Sequence, residues 1–466
     1  MLFSGITFLY YFLPLMLALY FLVPGAAKNA VLLIASLIFY AWGEPQYVFL
    51  MITSIIVGYV SGLLIEVFHK KGKAKLILAA SIGIHLGLLG YFKYADFLIG
   101  NFNEVTGLSI PLLKLALPIG ISFYTFQIIS YEVDVYRREA AAQKNLISLA
   151  CYVAMFPQLI AGPIVRYRSV AEELKERHHT MEALALGARR FILGLAKKVL
   201  LANTLGELCD IFKTSEEKSV LFFWLYAVAF SLHIYFDFSG YSDMAIGLGK
   251  ILGFHFPENF NYPYISQSVT EFWRRWHMTL GSWFRDYLYI PLGGNRVSWW
   301  RWYVNIFIVW ISTGFWHGAD WTFMVWGLFF AVLLVAEKRW WLKYLEKSRI
   351  LSRIYLLLAV IISFVIFNSA DITEAFHDIG AMFGMGGYPL VSGEFFYYIK
   401  SFGWILLCGI LGATPLVKKL VLKLKESSQG EKLINLSEPV VLIILLLVIT
   451  AYLVDGSFNP FLYFRF

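Results

Sequence analysis

The stretch VVLIILLLVITAYLV, residues 440–454, carries no charged side chain, and a chain with such a run has few places to put it. It belongs to one of twelve apolar runs, at roughly 6–24, 28–42, 46–67, 76–99, 112–136, 147–164, 187–203, 219–237, 303–335, 354–369, 399–416 and 437–454. A soluble core of a 466-residue chain cannot cover that much apolar surface, whereas lipid can. The composition, 59% hydrophobic and 15% charged, points the same way. Inside a bilayer every backbone amide needs a partner within the protein, and apolar runs of this length predict helices. The expected fold class is an all-α polytopic membrane protein. Several runs are shorter than the ~20 residues of a perpendicular span, so the expectation is roughly 9–12 transmembrane or re-entrant helices.

Charge sets the expected orientation. The net charge of +8 gathers in three clusters: HKKGKAK at 69–75; Lys338, Arg339, Lys343, Lys347, Arg349 and Arg353; and Lys418, Lys419, Lys423 and Lys425. Basic loops stay cytoplasmic, and counting spans outward from them puts both termini outside. The first basic residue, Lys28, follows the first hydrophobic run, which predicts an uncleaved first span rather than a signal peptide. The partner expected for this charge is the lipid bilayer, not nucleic acid. Cys151, Cys209 and Cys408 lie far apart with no CxxC, which suggests neither a disulfide framework nor a zinc site but buried small apolar residues. With no internal repeat and no long linker, residues 1–466 read as a single membrane domain. Its charged stretch 166–198 reads as cytoplasmic surface helices leading into a span.

Between 255 and 300 hydropathy collapses while aromatic content persists. Glu271, Arg274, Arg275, His277, Arg285 and Asp286 alternate with Trp273, Trp276, Trp283, Tyr287 and Tyr289. Two readings stay open: an amphipathic interfacial helix with Arg on lipid phosphate, or a re-entrant polar wall whose charges are paired. Beyond it, "WISTGFWHGADWTFMVWGLFF", residues 310–330, places His317 inside an apolar run. His85 and His233 read as helix-packing histidines. His317 differs, because Gly314 and Gly318 flank it and Asp320, three residues on, would share its helical face. Intramembrane ionisable residues are functional by default.

"EFWRRWHMTLGSWFRDYLYIPLGG" followed by "TGFWHGADW" resembles the membrane-bound O-acyltransferase family. Three further blocks, "LPIGISFYTFQIISYEVDVYRRE" at 117–139, "FPQLIAGPIVR" at 156–166 and "FNPFLYFRF" at 458–466, resemble its bacterial branch that acetylates polysaccharides such as alginate. The resemblance implies helices around a thinned central tunnel. A thioester donor, acetyl-CoA or another acyl thioester, enters from the cytoplasm, and an acceptor approaches from outside. It implies a multi-pass protein of the bacterial inner membrane with no tightly bound cofactor. It also implies an extracytoplasmic, serine-hydrolase-like partner that takes the acetyl group to the polymer. The family histidine maps onto His317 in the 303–335 helix, and "RRWH" carries a second catalytic position onto His277. Arg275, Trp276, Trp316 and Asp320 are candidate substrate-binding residues beside them.

The chemistry agrees with that resemblance. An alcohol is a poor nucleophile at neutral pH, and an imidazole that takes its proton typically contributes ~10²–10⁴ in rate. His317 is the expected general base. His277, Arg275 or backbone N–H groups could stabilise the oxyanion, and the sequence leaves that choice open. No paired ligand set at metal spacing appears. Two other readings compete: a D-alanyl transferase acting on teichoic acid, and, from a different class, a transporter or flippase for lipid-linked glycans.

Overall fold

A computed structural model describes residues 3–456, and among them every regular element is helical. The expected block at 458–466 lies outside the described residues, as do the first two residues. Seven helices among the described residues are long and apolar enough to cross a membrane: Val48–Lys71, Ala74–Thr106, Val220–Ile251, Trp321–Leu345, Arg349–Asn368, Gly393–Gly412 and Ser428–Asp455. Phe8–Leu22 and Gly25–Ala41 are apolar but shorter. The all-α, multi-pass membrane class is what the apolar runs require.

The chain divides into two compact units, Met1–Phe191 with Met244–Pro257, and Ile192–Asp243 with Glu258–Phe466. In the first, α1 (Ala74–Thr106) and the helix Val48–Phe68 pack around α2 (Ile121–Arg137). α2 is buried on nearly every side although it holds Gln127, Ser130, Glu132 and Asp134. Some of these groups find partners: Glu132 accepts the Ser81 hydroxyl at 2.5 Å, with His85 3.8 Å from the same carboxylate, and Ser130 donates to the Gln127 carbonyl at 2.9 Å. His85 is thus a packing histidine. The 156–166 block is buried too, with Tyr152 donating to the Val165 carbonyl at 2.9 Å.

Residues 166–180 do not form the helix expected of them. One helical turn, Tyr167–Val170, gives way to irregular chain before Met181–Ala196 begins. That chain is fastened by side chains instead: Asn29 donates to the Leu174 carbonyl at 2.8 Å, and Glu173 accepts from His255 at 2.6 Å.

The second unit is built on the 220–243 part of α3 (Val220–Ile251), the most enclosed of the apolar helices at 78% buried. Charge is matched against it: Lys198 pairs with Asp237, both shielded from solvent, and Lys197 meets Asp243 at 2.6 Å. His233 contacts the Ala202 carbonyl at 2.6 Å, a packing role. Cys151 and Cys209 are buried, whereas Cys408, expected to be buried, is exposed on a spanning helix.

Candidate active site

All the site residues named from sequence fall in the second unit, and the local chain explains their placement. α4 (Val269–Trp273) opens with a side-chain cap: Ser268 Oγ accepts the Glu271 N–H at 3.0 Å, and the Glu271 carboxylate reaches back to accept the N–H of Gln267, one residue before the cap, at 2.9 Å. A second carboxylate, Glu337, only 1% exposed, accepts the N–H and hydroxyl of Thr270 at 2.9 and 2.8 Å, and the Val269 N–H as well. Negative charge belongs at a helix N-terminus, where amides have no helical partner. The helix stops after five residues. Arg274, Arg275 and Trp276 follow, and at His277 the backbone turns left-handed, φ 42° and ψ 52°, before α5 (Met278–Phe284) begins.

So 255–300 is not one amphipathic helix lying on a surface. Phe272, Trp276 and His277 are interior, and His277 and Arg274 share no helical face. The adjacent chain grips the bend. Asn261 donates its N–H to the Arg275 carbonyl at 2.9 Å, and Met278 donates to the Asn259 carbonyl at 3.0 Å. The Asn259 side chain is 1% exposed. Its amide nitrogen donates to Ser242 Oγ at 3.0 Å. Its oxygen receives Thr279 Oγ1 at 2.9 Å, the Thr279 N–H at 3.3 Å and His277 Nδ1 at 3.0 Å.

His317 is the last residue of α6 (Trp299–His317). The expected single helix over 303–335 breaks there, and α7 (Trp321–Ala336) starts after Gly318-Ala319-Asp320. Asp320 is the cap of α7, accepting the N–H and hydroxyl of Thr322 at 2.9 and 3.1 Å. This corrects the expectation that it shares a helical face with His317. α6 and α7 meet backbone to backbone. A Cβ on Gly314 would stand 2.3 Å from the Phe323 carbonyl oxygen, and one on Gly327 2.4 Å from that of Trp310. Only glycine permits that approach.

The His317 ring lies edge-on to Trp316, Trp326 and Phe367 of α8 (Arg349–Asn368), with centroids at 5.0, 5.0 and 5.3 Å. His277 lies 6.1 Å from the same Trp316 ring and 4.6 Å from Phe238. Two imidazoles about forty residues apart in sequence therefore share one indole, among rings that include Phe238, Trp326 and Phe367, with Asn259 as a polar neighbour of His277. His277 sits outside the seven spanning helices. Burial, and then the neighbouring His317, push its pKa well below the usual imidazole range, so its ring is neutral near pH 7.

The other candidates separate. Trp316 stands between the histidines. Trp276 turns away into a cluster with Phe272, Phe260 and Phe364, at 5.5, 5.1 and 5.3 Å. Arg275 is engaged by Glu271 at 2.8 Å and donates to the Asn261 carbonyl at 3.2 Å, which makes it a brace for the bend. Sequence reasoning missed Asn259, Glu337, Phe238, Trp326 and Phe367. A lone carboxylate closing the apolar run 321–336 was the available signal for Glu337; the NFN segment at 259–261 reads as loop and signals nothing.

Over 396 residues the chain is 42% identical to the probable alginate O-acetylase AlgI of Azotobacter vinelandii, covering 84% of this chain and 79% of that one. It is 34% identical over 427 residues to the peptidoglycan O-acetyltransferase of Helicobacter pylori, covering 84% and 81%. With the teichoic acid D-alanyltransferase of Bacillus subtilis it shares 30% over 266 residues, covering 53% and 65%. Residues 104–370, which include both histidines, match the pattern of one family, and the chain belongs to it: the membrane-bound O-acyltransferases.

Proposed function

We propose that this membrane O-acyltransferase moves an acetyl group from a cytoplasmic thioester, acetyl-CoA, to a hydroxyl destined for an extracytoplasmic polysaccharide. The observation that carries the reading is the pair of buried imidazoles flanking Trp316 inside the family-matched segment. In the reaction, His317 takes the proton of the alcohol as its oxygen attacks the thioester carbonyl. A C–O bond forms, the C–S bond breaks, and the proton returns to the departing thiolate. The aromatic walls exclude water, which would otherwise compete as the nucleophile. Polysaccharide acetylation is supported by what the relatives from A. vinelandii and H. pylori are named for. The fuller coverage of those relatives favours acetyl over D-alanyl transfer. A bacterial inner-membrane location, and an extracytoplasmic serine-hydrolase-like partner that completes transfer to the polymer, belong to the same proposal.

The test is thiol release from acetyl-CoA by the purified protein with an oligosaccharide acceptor or the partner. His317→Ala should fold and lose about a hundredfold or more in turnover. Retention of more than about a tenth would remove the general base from His317. Supplying D-alanyl carrier protein to the same preparation separates the two donor classes.

A further inference from the structure

We infer that Asn259 is a positioning residue that holds His277 as the Nδ1–H tautomer, so that His277 enters the acyl-transfer site as a hydrogen-bond acceptor through Nε2 and not as an oxyanion donor. This rests on the acyl-transfer reading of the site.

The inference follows from which atoms can donate. A backbone N–H only donates, so the Asn259 atom that meets the Thr279 N–H at 3.3 Å is the amide oxygen. The Asn259 nitrogen is thereby turned to Ser242 Oγ, at 3.0 Å. An amide oxygen only accepts, so the His277 nitrogen 3.0 Å from it, Nδ1, must carry a hydrogen. A neutral imidazole has one N–H. Nε2 therefore presents a lone pair, and among the described residues it is buried with no hydrogen-bond partner. Around the ring stand Phe238, Trp316 and Asn259, and the titratable group that acts on it is His317. Nothing acidic in that set supplies a second proton.

The backbone is part of the device. His277 is left-handed, a conformation a residue with a β-carbon adopts at some cost. The bond from the Met278 N–H to the Asn259 carbonyl, 3.0 Å, closes that bend. One residue thus sets both the direction of the ring and its protonation pattern. An unpartnered acceptor is costly in a buried place unless a donor arrives to meet it; the reacting hydroxyl gives its one hydrogen to His317, so the donor that meets Nε2 is a second hydroxyl or N–H of the bound substrates.

Two measurements test this. In protein labelled with ¹⁵N-histidine, the resonance lost in His277→Gln should show an Nδ1–H, bare-Nε2 ring at pH 7.5. An Nε2–H or doubly protonated ring overturns the inference, and this readout does not depend on turnover. The second is Asn259→Asp, nearly isosteric, which keeps an oxygen for Thr279 and places a carboxylate on Nδ1. That charge raises the His277 pKa, so the ring carries two N–H groups below the raised value. The acid limb of the pH–kcat profile should move to higher pH, with turnover at pH 6 down about tenfold or more, recovery at pH 9, and an unchanged thermal midpoint. A wild-type profile in the variant overturns the inference. If the wild-type protein releases no thiol from any thioester, the acyl-transfer reading fails, while the tautomer measurement still decides the role of Asn259.

Discussion

Asp320 illustrates how a residue beside a candidate catalytic histidine can be there for a structural reason. Its carboxylate answers both donors of Thr322 at the start of α7. Asp320→Ala should therefore cost about 1 kcal/mol of stability, seen as a lower thermal midpoint, with turnover by the folded protein unchanged. Loss of turnover at an unchanged midpoint would return Asp320 to the substrate. Of the two histidines at this site, His317 stands out in the sequence as a titratable group inside an apolar run, whereas His277, in a stretch where hydropathy collapses, is reached only through the resemblance of RRWH. Arg275 is hard to read from sequence for the opposite reason. An arginine in an aromatic stretch looks available until its carboxylate, four residues back, is seen to hold it at 2.8 Å. Asn259 was invisible because its role depends on contacts eighteen and twenty residues away, and Ser242 lies seventeen residues back in the chain. Propensity carries no trace of such long-range bonds.

Among the helices, the hairpin of α6 and α7 does most to fix where His317 sits. Its contact has no slack, since each glycine faces a carbonyl oxygen of the opposing helix. Gly314→Val should push the pair apart, lower the thermal midpoint and reduce turnover, with a cost of about 1–3 kcal/mol or more, as for an overpacked core. Gly403→Val is the control. It lies on the helix Gly393–Gly412 with nothing within 4 Å of an added Cβ, and should leave both quantities unchanged. Equal effects of the two substitutions would show that the hairpin contact does not set the site. Sequence periodicity found the 303–335 run but not its break, because Gly-Ala-Asp is brief and apolar residues resume at once. The five-residue α4 was equally hidden. Helices that short owe their existence to caps and tertiary contacts such as Glu337, which sits more than sixty residues further along the chain.

For the whole molecule, the spanning helices were readable because each is written as a contiguous run, and hydrophobic length is a local property. Sidedness is the remaining expectation. Two spanning helices, Arg349–Asn368 and Gly393–Gly412, separate the cluster at 338–353 from that at 418–425, so both clusters fall on one side if each helix crosses once. Three of the seven, Ala74–Thr106, Val220–Ile251 and Trp321–Leu345, separate 69–75 from 338–353, so the expectation that all three clusters are cytoplasmic also requires a further crossing, for which the 19-residue α6 has the length. Single cysteines placed in these loops of a cysteine-free variant should resist an impermeant thiol reagent on intact cells, and labelling of the 69–75 loop would invert the orientation. The C-terminal helix Ser428–Asp455 has only 6% of its apolar window covered by protein, and Gly393–Gly412 only 11%. Leu406, Phe402 and Tyr398 of the second helix pack on the core, but most side chains on the two face outward, and hydrocarbon does not distinguish one apolar order from another. Along the outward faces of those two helices, tolerance to substitution should then be a matter of totals, not of positions, so long as the sum stays oily. The segment that carries Asn259, His277 and His317 has no such freedom.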